Sequence, residues 1–117
     1  MRKLLRIVVL SISAIVLLFF IQKWGNNRDK RFYDEFNSAN INGALIYSDI
    51  GYYMRVFKVK NNKMKFVFDP RLSIYQKQSF RKVAEKGDII IKPAYADTLV
   101  LKKKEGTIYL FTFRKYE

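Results

Sequence analysis

The chain contains no cysteine and no histidine. Without cysteine it has no disulfide framework, no thiol nucleophile and no lipoprotein acylation site. Without histidine it lacks the commonest general base and metal ligand. Its five glycines are spread singly, and neither a phosphate-binding glycine loop nor a serine nucleophile elbow occurs. The sequence therefore predicts a protein that is not an enzyme and needs no metal ion or cofactor.

Acidic residues are also scarce, with ten against 23 basic residues and a formal net charge of +13. Such a charge favours anionic partners, namely lipid headgroups, nucleic acid or acidic polymers. The alternative is a basic surface that serves no specific partner. Aromatic residues make up 16% of the chain, which is far from the composition of a disordered protein. The 117 residues allow one modest domain and an anchor.

The amino-terminal residues contain the longest apolar run. Twelve of the 15 residues from Ile7 to Ile21 are Ile, Val, Leu or Phe, which together favour membrane insertion by about 4–7 kcal/mol. Arg6 precedes the run and can snorkel, and Trp24 is suited to the membrane interface. We therefore predict a signal-anchor transmembrane helix over residues 1–24, with Arg6, Lys23 and Trp24 at the membrane interface.

A cleaved signal peptide is the rival prediction, because a basic start and an apolar middle fit it. However, the residues from Phe19 to Trp24 offer no small-x-small cleavage site. Basic residues flank both ends of the run in similar numbers. The rule that lysine and arginine are enriched on the cytoplasmic side therefore does not fix the orientation of the helix. The short basic tail favours a cytoplasmic amino terminus, which would place the domain outside, in the periplasm or the extracellular space.

Residues 25–40 are predicted to be a polar juxtamembrane linker, and residues 41–117 a basic β-barrel-like domain. Phe32, Tyr33 and Phe36 have the i, i+3, i+4 spacing of one helix face, which predicts a short helical turn over 29–37. Their side chains are expected to pack on the domain. The bilayer surface is the alternative location for this stripe.

The clearest local pattern is a hairpin. We expect a strand over 41–47 and a turn over 48–51, followed by strands over 52–60 and 63–69. Asn61 and Asn62 join these two strands, because asparagine tolerates the positive φ of a two-residue turn. This turn fixes the residue pairs between the two strands. Next to the turn they are Lys60 with Lys63, Val59 with Met64 and Lys58 with Lys65. Farther along the strands they are Phe57 with Phe66, Val56 with Val67 and Arg55 with Phe68. The face with Val59, Met64 and the three phenylalanines is predicted to be core.

The opposite face of this hairpin carries the candidate contact residues for an anionic surface, Lys58, Lys60, Lys63 and Lys65. Membrane headgroups are the nearest candidate, and a merely solvated tip is the alternative. A membrane-tethered nucleic-acid-binding domain is a further alternative, in which Tyr52, Tyr53, Arg55 and Tyr75 would supply aromatic and basic contacts. The hairpin register disfavours it, because it sends Phe57, Phe66 and Phe68 inward.

The second half of the chain predicts a helix over 73–86, a strand over 89–91, and a hairpin of strands 98–103 and 107–115. Capping-box spacing of Ser73 and Gln76 marks the start of the helix. The predicted structural turn residues are Asn61, Asn62, Gly87, Asp88 and Gly106. The element order β-β-β-α-β-β-β predicts a mainly β, small OB-like, partly open barrel or roll behind one transmembrane helix. A two-layer α+β sheet would give the same order.

The segment Gly87-Asp88-Ile89-Ile90-Ile91-Lys92-Pro93, with Asp97-Thr98-Leu99, Ile41-Asn42-Gly43 and Phe80, resembles a group of small uncharacterised envelope proteins of Bacteroidota-type bacteria. Those proteins carry an anchor or lipoprotein signal and one compact β-domain with a GDSxxK-like segment. This chain has Ile89 in place of the serine. The resemblance implies a membrane-anchored envelope protein. With the residues above, it predicts a non-catalytic interaction module whose partners are membrane lipid and an unidentified envelope protein.

Overall fold

A computed structural model describes residues 27–116. The chain divides into two units, Met1–Arg31 and Phe32–Glu117. The predicted signal-anchor helix over 1–24 lies outside the described residues. Within residues 27–116, no helix is long and apolar enough to cross a membrane.

The unit that begins at Phe32 is mainly β, and the predicted order β-β-β-α-β-β-β is confirmed. Residues 27–38 are helical (α1), so the predicted helical turn over 29–37 is present. The other elements are β1 (Ile41–Gly51), β2 (Met54–Val59), β3 (Phe66–Phe68), α2 (Phe80–Val83), β4 (Ile89–Lys92), β5 (Thr98–Lys102) and β6 (Ile108–Thr112). The six strands form one open antiparallel sheet in the order β3-β2-β1-β4-β5-β6.

The long first strand belongs to both halves of the sheet. Residues 41–44 pair with β4, whereas residues 45–51 pair with β2. A glycine inside a strand is typical of a bulge, but the register shifts between Leu45 and Tyr47 rather than at Gly43. Gly43 has a different role, because a Cβ built there would lie 3.1 Å from the Lys60 carbonyl oxygen. A bulge increases local twist, and here it falls where β1 changes partner.

The first hairpin has the predicted register at Arg55 with Phe68, Val56 with Val67 and Phe57 with Phe66, but the three pairs expected nearer the turn do not form. The predicted second hairpin is present, and Leu99 pairs there with Phe111. The prediction that Met64 faces the core is wrong, since Met64 is 46% exposed. The ladder ends at Phe66, and the Asn62 side chain bonds to the Met64 amide instead (3.0 Å). This local turn takes Met64 out of the strand alternation.

Two further boundary predictions are wrong. Strand β1 continues through the expected turn at 48–51, and the chain reverses at Tyr52 and Tyr53 instead, whose φ angles are 54° and 61°. The helix expected over 73–86 is reduced to α2, whose N-cap is Ser79. Ser73 is buried, and its hydroxyl oxygen accepts the Gln78 amide hydrogen (2.9 Å). Serine thus closes a local loop here, which competes with helix formation.

The core is an aromatic cluster. Phe36 of α1 is fully buried, and its ring lies 4.8 Å from those of Phe68 and Phe113. The expected packing of this helix face on the domain is therefore confirmed for Phe36, and Tyr33 packs at the margin of the same core. Each aromatic pair contributes about 0.5–1.5 kcal/mol beyond the apolar area it buries. The compact unit thus includes residues that the sequence assigns to the linker.

A buried lysine fastens the end of α1 to the sheet. Lys92 is 0% exposed, and its Nζ donates to the carbonyl oxygens of Asn37 (3.0 Å), Ala39 (2.9 Å) and Pro93 (3.1 Å). Its ammonium group also lies 5.0 Å from the centre of the Phe36 ring. Burial lowers the pKa of Lys92 to about 8. This lysine satisfies backbone carbonyls at a helix end, where such groups lack intrahelical donors.

The segment that follows β3 covers the edge of β6. Pro70 forms an isolated antiparallel bridge with Phe113. The Arg71 amide donates to the Thr112 carbonyl oxygen (2.9 Å), and the Ile74 amide donates to the Leu110 carbonyl oxygen (3.0 Å). These bonds satisfy backbone groups that an edge strand would otherwise expose. They also place Arg71 beside the first hairpin and α2.

Candidate functional site

The four predicted contact lysines lie around the turn between β2 and β3. Asn61 adopts φ 68°, and the Asn62 amide donates to the Val59 carbonyl oxygen (3.4 Å). Three of the lysines are exposed and one is half-buried. We call this group the lysine hairpin; it consists of Lys58, Lys60, Lys63 and Lys65.

The lysines are not arranged as directly opposed pairs. Lys58 lies opposite Tyr47 of β1, and the Lys60 amide donates to the Ala44 carbonyl oxygen (2.8 Å). The ladder between β2 and β3 ends before Lys65, so the expected Lys58–Lys65 and Lys60–Lys63 pairs do not form. This arrangement reduces direct repulsion across the strands. Among residues 27–116, no carboxylate forms an ion pair with these ammonium groups, so their charge is available to an external anion.

The residues predicted for structural turns lie in turns. Gly87 and Gly106 have φ angles of 94° and 103°. The Asp88 carboxylate accepts the Glu85 amide hydrogen (2.8 Å) and forms a buried ion pair with Lys103 Nζ (2.6 Å). Burial tends to lower the pKa of Lys103, but its hydrogen bond with Asp88 and nearby acidic charges outweigh that effect and raise the pKa. Asp88 thus ties the segment after α2 to the end of β5.

A second basic region lies between the β1–β2 turn, the segment after β3 and the start of α2. It is an open cleft of about 410 Å³. Three arginines from three separate parts of the chain line it, Arg55, Arg71 and Arg81. The lining also includes Tyr53, Ser79 and one acid, Asp69. We call this region the arginine cleft.

Arg55 is the most enclosed of the three arginines. One of its terminal nitrogens donates to the Ser48 hydroxyl oxygen (2.8 Å). Its Nε is buried and has no hydrogen-bond partner. Burial lowers the pKa of Arg55, the charge of Asp49 opposes this, and the charge of Arg81 adds to the lowering. Arg55 and Arg81 are therefore close enough to repel each other, and an anion between them would relieve that repulsion.

The turn beside the cleft has an unusual composition. Tyr52 and Tyr53 both have positive φ, a combination typical of a type I′ hairpin turn, in which Asn and Gly are preferred. The Tyr52 ring packs 4.8 Å from the Phe32 ring. Tyr53 is 99% exposed. Folding alone gives little reason for an exposed aromatic residue in a left-handed conformation, which costs about 1–2 kcal/mol.

The sequence predicts only part of this cleft. Tyr53 and Arg55, two of the residues expected to contact nucleic acid in the alternative function, both line it, whereas Tyr52 packs on Phe32. Arg71 and Arg81 gave no local signal, because long-range bonds such as that between the Arg71 amide and Thr112 bring them together. A tyrosine pair between two β patterns was the one available sign of an unusual turn.

The remaining predicted site residues, Arg6, Lys23 and Trp24, lie outside the described residues. Within residues 27–116, no group of three or more carboxylates has metal-site geometry. No protein-family model, curated protein or solved structure matches the chain. The two basic regions are therefore interpreted from their own geometry.

Proposed function

We propose that the chain is a single-pass membrane-anchored protein whose basic β-domain is a non-catalytic interaction module at the cell envelope. The surface assigned to this role is the lysine hairpin, and its partner is an anionic lipid surface. The observation that carries the proposal is the concentration of four lysines around one turn, without carboxylate partners among residues 27–116. Four positive charges around one turn attract anionic surfaces.

The exposed Met64 supports a lipid surface rather than a nucleic acid. It lies between Lys63 and Lys65 and is 46% exposed. An apolar side chain among lysines suits the boundary between headgroups and acyl chains. Single-strand binding usually needs exposed aromatic platforms, whereas Phe57, Phe66 and Phe68 are buried.

The proposal includes an OB-like, partly open barrel for the domain. The sharing of β1 between β2 and β4 supports it, as does the position of α2 between the third and fourth strands. The bridge between Pro70 and Phe113 supports a partly closed form. A roll built from the same sheet is the alternative.

The proposed location has the amino terminus in the cytoplasm and the domain outside. The apolar run and its short basic tail support it, and so does the resemblance to anchored envelope proteins. A carboxy-terminal fusion to a reporter that is active only outside the cytoplasm tests it. We expect activity and cleavage of the domain by external protease. Protease sensitivity only after cell lysis, with the protein in the soluble fraction, would refute the location.

Lipid binding is tested with the full chain in phosphatidylcholine nanodiscs, mixed with vesicles that contain phosphatidylglycerol. Each lysine near an anionic leaflet contributes about 1 kcal/mol, so changing all four to Gln is expected to weaken binding by at least about tenfold. The matched control changes four other exposed lysines to Gln, Lys77, Lys82, Lys86 and Lys104. Equal losses in both variants would reduce the effect to net charge and refute a specific role for the lysine hairpin.

A further inference from the structure

The arginine cleft has a positive excess that the described residues do not neutralise. Arg55, Arg71 and Arg81 face one acid in the lining, Asp69, and Asp49 acts on Arg55 from outside it. Within residues 27–116, none of the three guanidinium groups forms an ion pair. Guanidinium groups present fixed forks of donors that match the oxygens of phosphate groups. Three such forks on one cleft are suited to a multiply charged oxyanion.

The unpartnered Nε of Arg55 is a separate indication of a missing acceptor. A buried donor of a charged group that makes no hydrogen bond costs more than an ordinary unsatisfied group. Arg55 is held in place by its bond to Ser48 on the neighbouring strand β1. The side chain is thus fixed in the lining before any ligand is present, which reduces the entropy that binding must supply.

Tyr53 gives the cleft an apolar border. Its side chain is 99% exposed and lines the same cleft as the three arginines, together with exposed Ile50 and Leu72. Such a border would contact the carbon part of a ligand while the arginines hold its charged part. A ligand with both parts matches this cleft better than a simple inorganic anion does.

We propose that the arginine cleft binds the phosphate group of a phosphate monoester, with the carbon part of the ligand against Tyr53. A monoester phosphate carries a charge of about −1.5 to −2 and three free oxygens, one for each guanidinium group. The ester comes either from a soluble metabolite or from a lipid headgroup. This site is separate from the lysine hairpin, and neither proposal depends on the other.

The test uses the full chain in uncharged maltoside micelles and phosphate-free buffer. Inorganic phosphate, glycerol 3-phosphate and micelle-borne phosphatidic acid are titrated while arginine Nε–H signals are followed by NMR and affinity by calorimetry. We expect saturable binding and a shift of the Arg55 Nε–H signal. Arg71→Gln and Arg81→Gln should each weaken binding by at least about tenfold, because each removes a charge-assisted hydrogen bond.

Lys82→Gln is the matched control, because Lys82 is exposed on α2 beside Arg81 and its loss changes the net charge equally. It should change affinity by less than about twofold, since screened charges outside the cleft contribute little. Arg71 and Arg81 are exposed, so their substitution should leave thermal unfolding unchanged. Tyr53→Ala should weaken binding of glycerol 3-phosphate and leave binding of inorganic phosphate unchanged.

The outcomes separate the two sources of the ester. Tighter binding of phosphatidic acid supports a headgroup, and equal affinities support a soluble ester. The proposal is overturned if acetate binds as tightly as phosphate, or if Lys82→Gln weakens binding as much as Arg81→Gln. It is also overturned if a single-stranded oligonucleotide binds the cleft more tightly than either ester. The lysine hairpin variant should bind these phosphates normally, so this test can fail while the membrane proposal stands.

Discussion

Burial of Lys92 predicts a specific dependence of stability on pH. The folded domain releases the proton of Lys92 near its lowered pKa of about 8, whereas the unfolded chain holds it up to its ordinary value of 10.5. Between these values the unfolded state binds more protons, so the free energy of unfolding rises with pH. From pH 7 to pH 10 the increase is about 2.5 kcal/mol for this one group.

Lys92→Met removes this contribution. The substitution deprives three carbonyl oxygens of a donor, but two of them keep another. Asn37 still accepts the Tyr95 amide hydrogen (2.7 Å), and Pro93 still accepts that of Ala96 (3.1 Å). Only the Ala39 carbonyl loses its described partner, at a cost of about 1–3 kcal/mol. The variant no longer buries a charged group, which offsets that loss near neutral pH. We therefore expect the free energies of unfolding of the variant and the native chain to differ by less than about 2 kcal/mol at pH 7.

The assay is urea unfolding of the β-domain in the full chain, held in neutral detergent and followed by circular dichroism at pH 7 and pH 10. Other lysines and tyrosines titrate in this range, so the informative quantity is the difference between the native chain and Lys92→Met. We expect the native chain to gain about 2.5 kcal/mol on the variant over this interval. Parallel pH dependences would refute the reasoning, because they would mean that folding leaves the pKa of Lys92 unchanged.

Three further predictions concern stability. Asp88→Asn should cost about 1–3 kcal/mol in thermal or urea unfolding, because Lys103 loses its buried carboxylate partner and keeps only the exposed Glu85 carboxylate at 3.7 Å and the Val83 carbonyl oxygen. A loss below about 0.5 kcal/mol would contradict the role of the pair. Phe66→Ala should lower the free energy of unfolding by about 3–5 kcal/mol, and Met64→Ala by less than about 0.5 kcal/mol. Similar losses in the two variants would contradict the burial of Phe66 and the exposure of Met64. Tyr53→Gly should raise stability by about 1 kcal/mol by removing the left-handed strain, whereas a lower unfolding midpoint would show that the tyrosine supports the turn.

The parts of the fold that could be predicted from the sequence are those fixed by neighbouring residues. The Asn61-Asn62 turn sets the pairing of Phe57 with Phe66, and strand alternation then requires the lysines on the opposite face. Gly106 specifies the second hairpin in the same way. The structure has both hairpins, and the first has the predicted pairs from Arg55–Phe68 to Phe57–Phe66, although the pairs expected nearer its turn do not form.

The errors arise where local patterns compete. Ser73 has the spacing of a capping box, yet its hydroxyl closes a loop with the Gln78 amide. Ser48 and Gly51 are typical turn residues, but the chain reverses at two tyrosines that no propensity favours. Local sequence patterns do not predict the arginine cleft, because contacts between separate elements bring Arg55, Arg71 and Arg81 to its lining. A charge pattern along the chain does not indicate which cations share a cleft.

The divided pairing of β1 has a consequence for the kinetics of folding. Its pairing with β2 closes a two-residue turn, since Gly51 pairs with Met54. Its pairing with β4 joins Ile41 to Lys92, a separation of 92 − 41 = 51 residues, and closing a loop of that length costs about 3.5 kcal/mol of chain entropy. The strands β1–β3 and β4–β6 can each form through local contacts, whereas the junction between them has to wait for this closure. The rate at which the whole sheet forms should therefore depend on the four residue pairs that join β1 to β4.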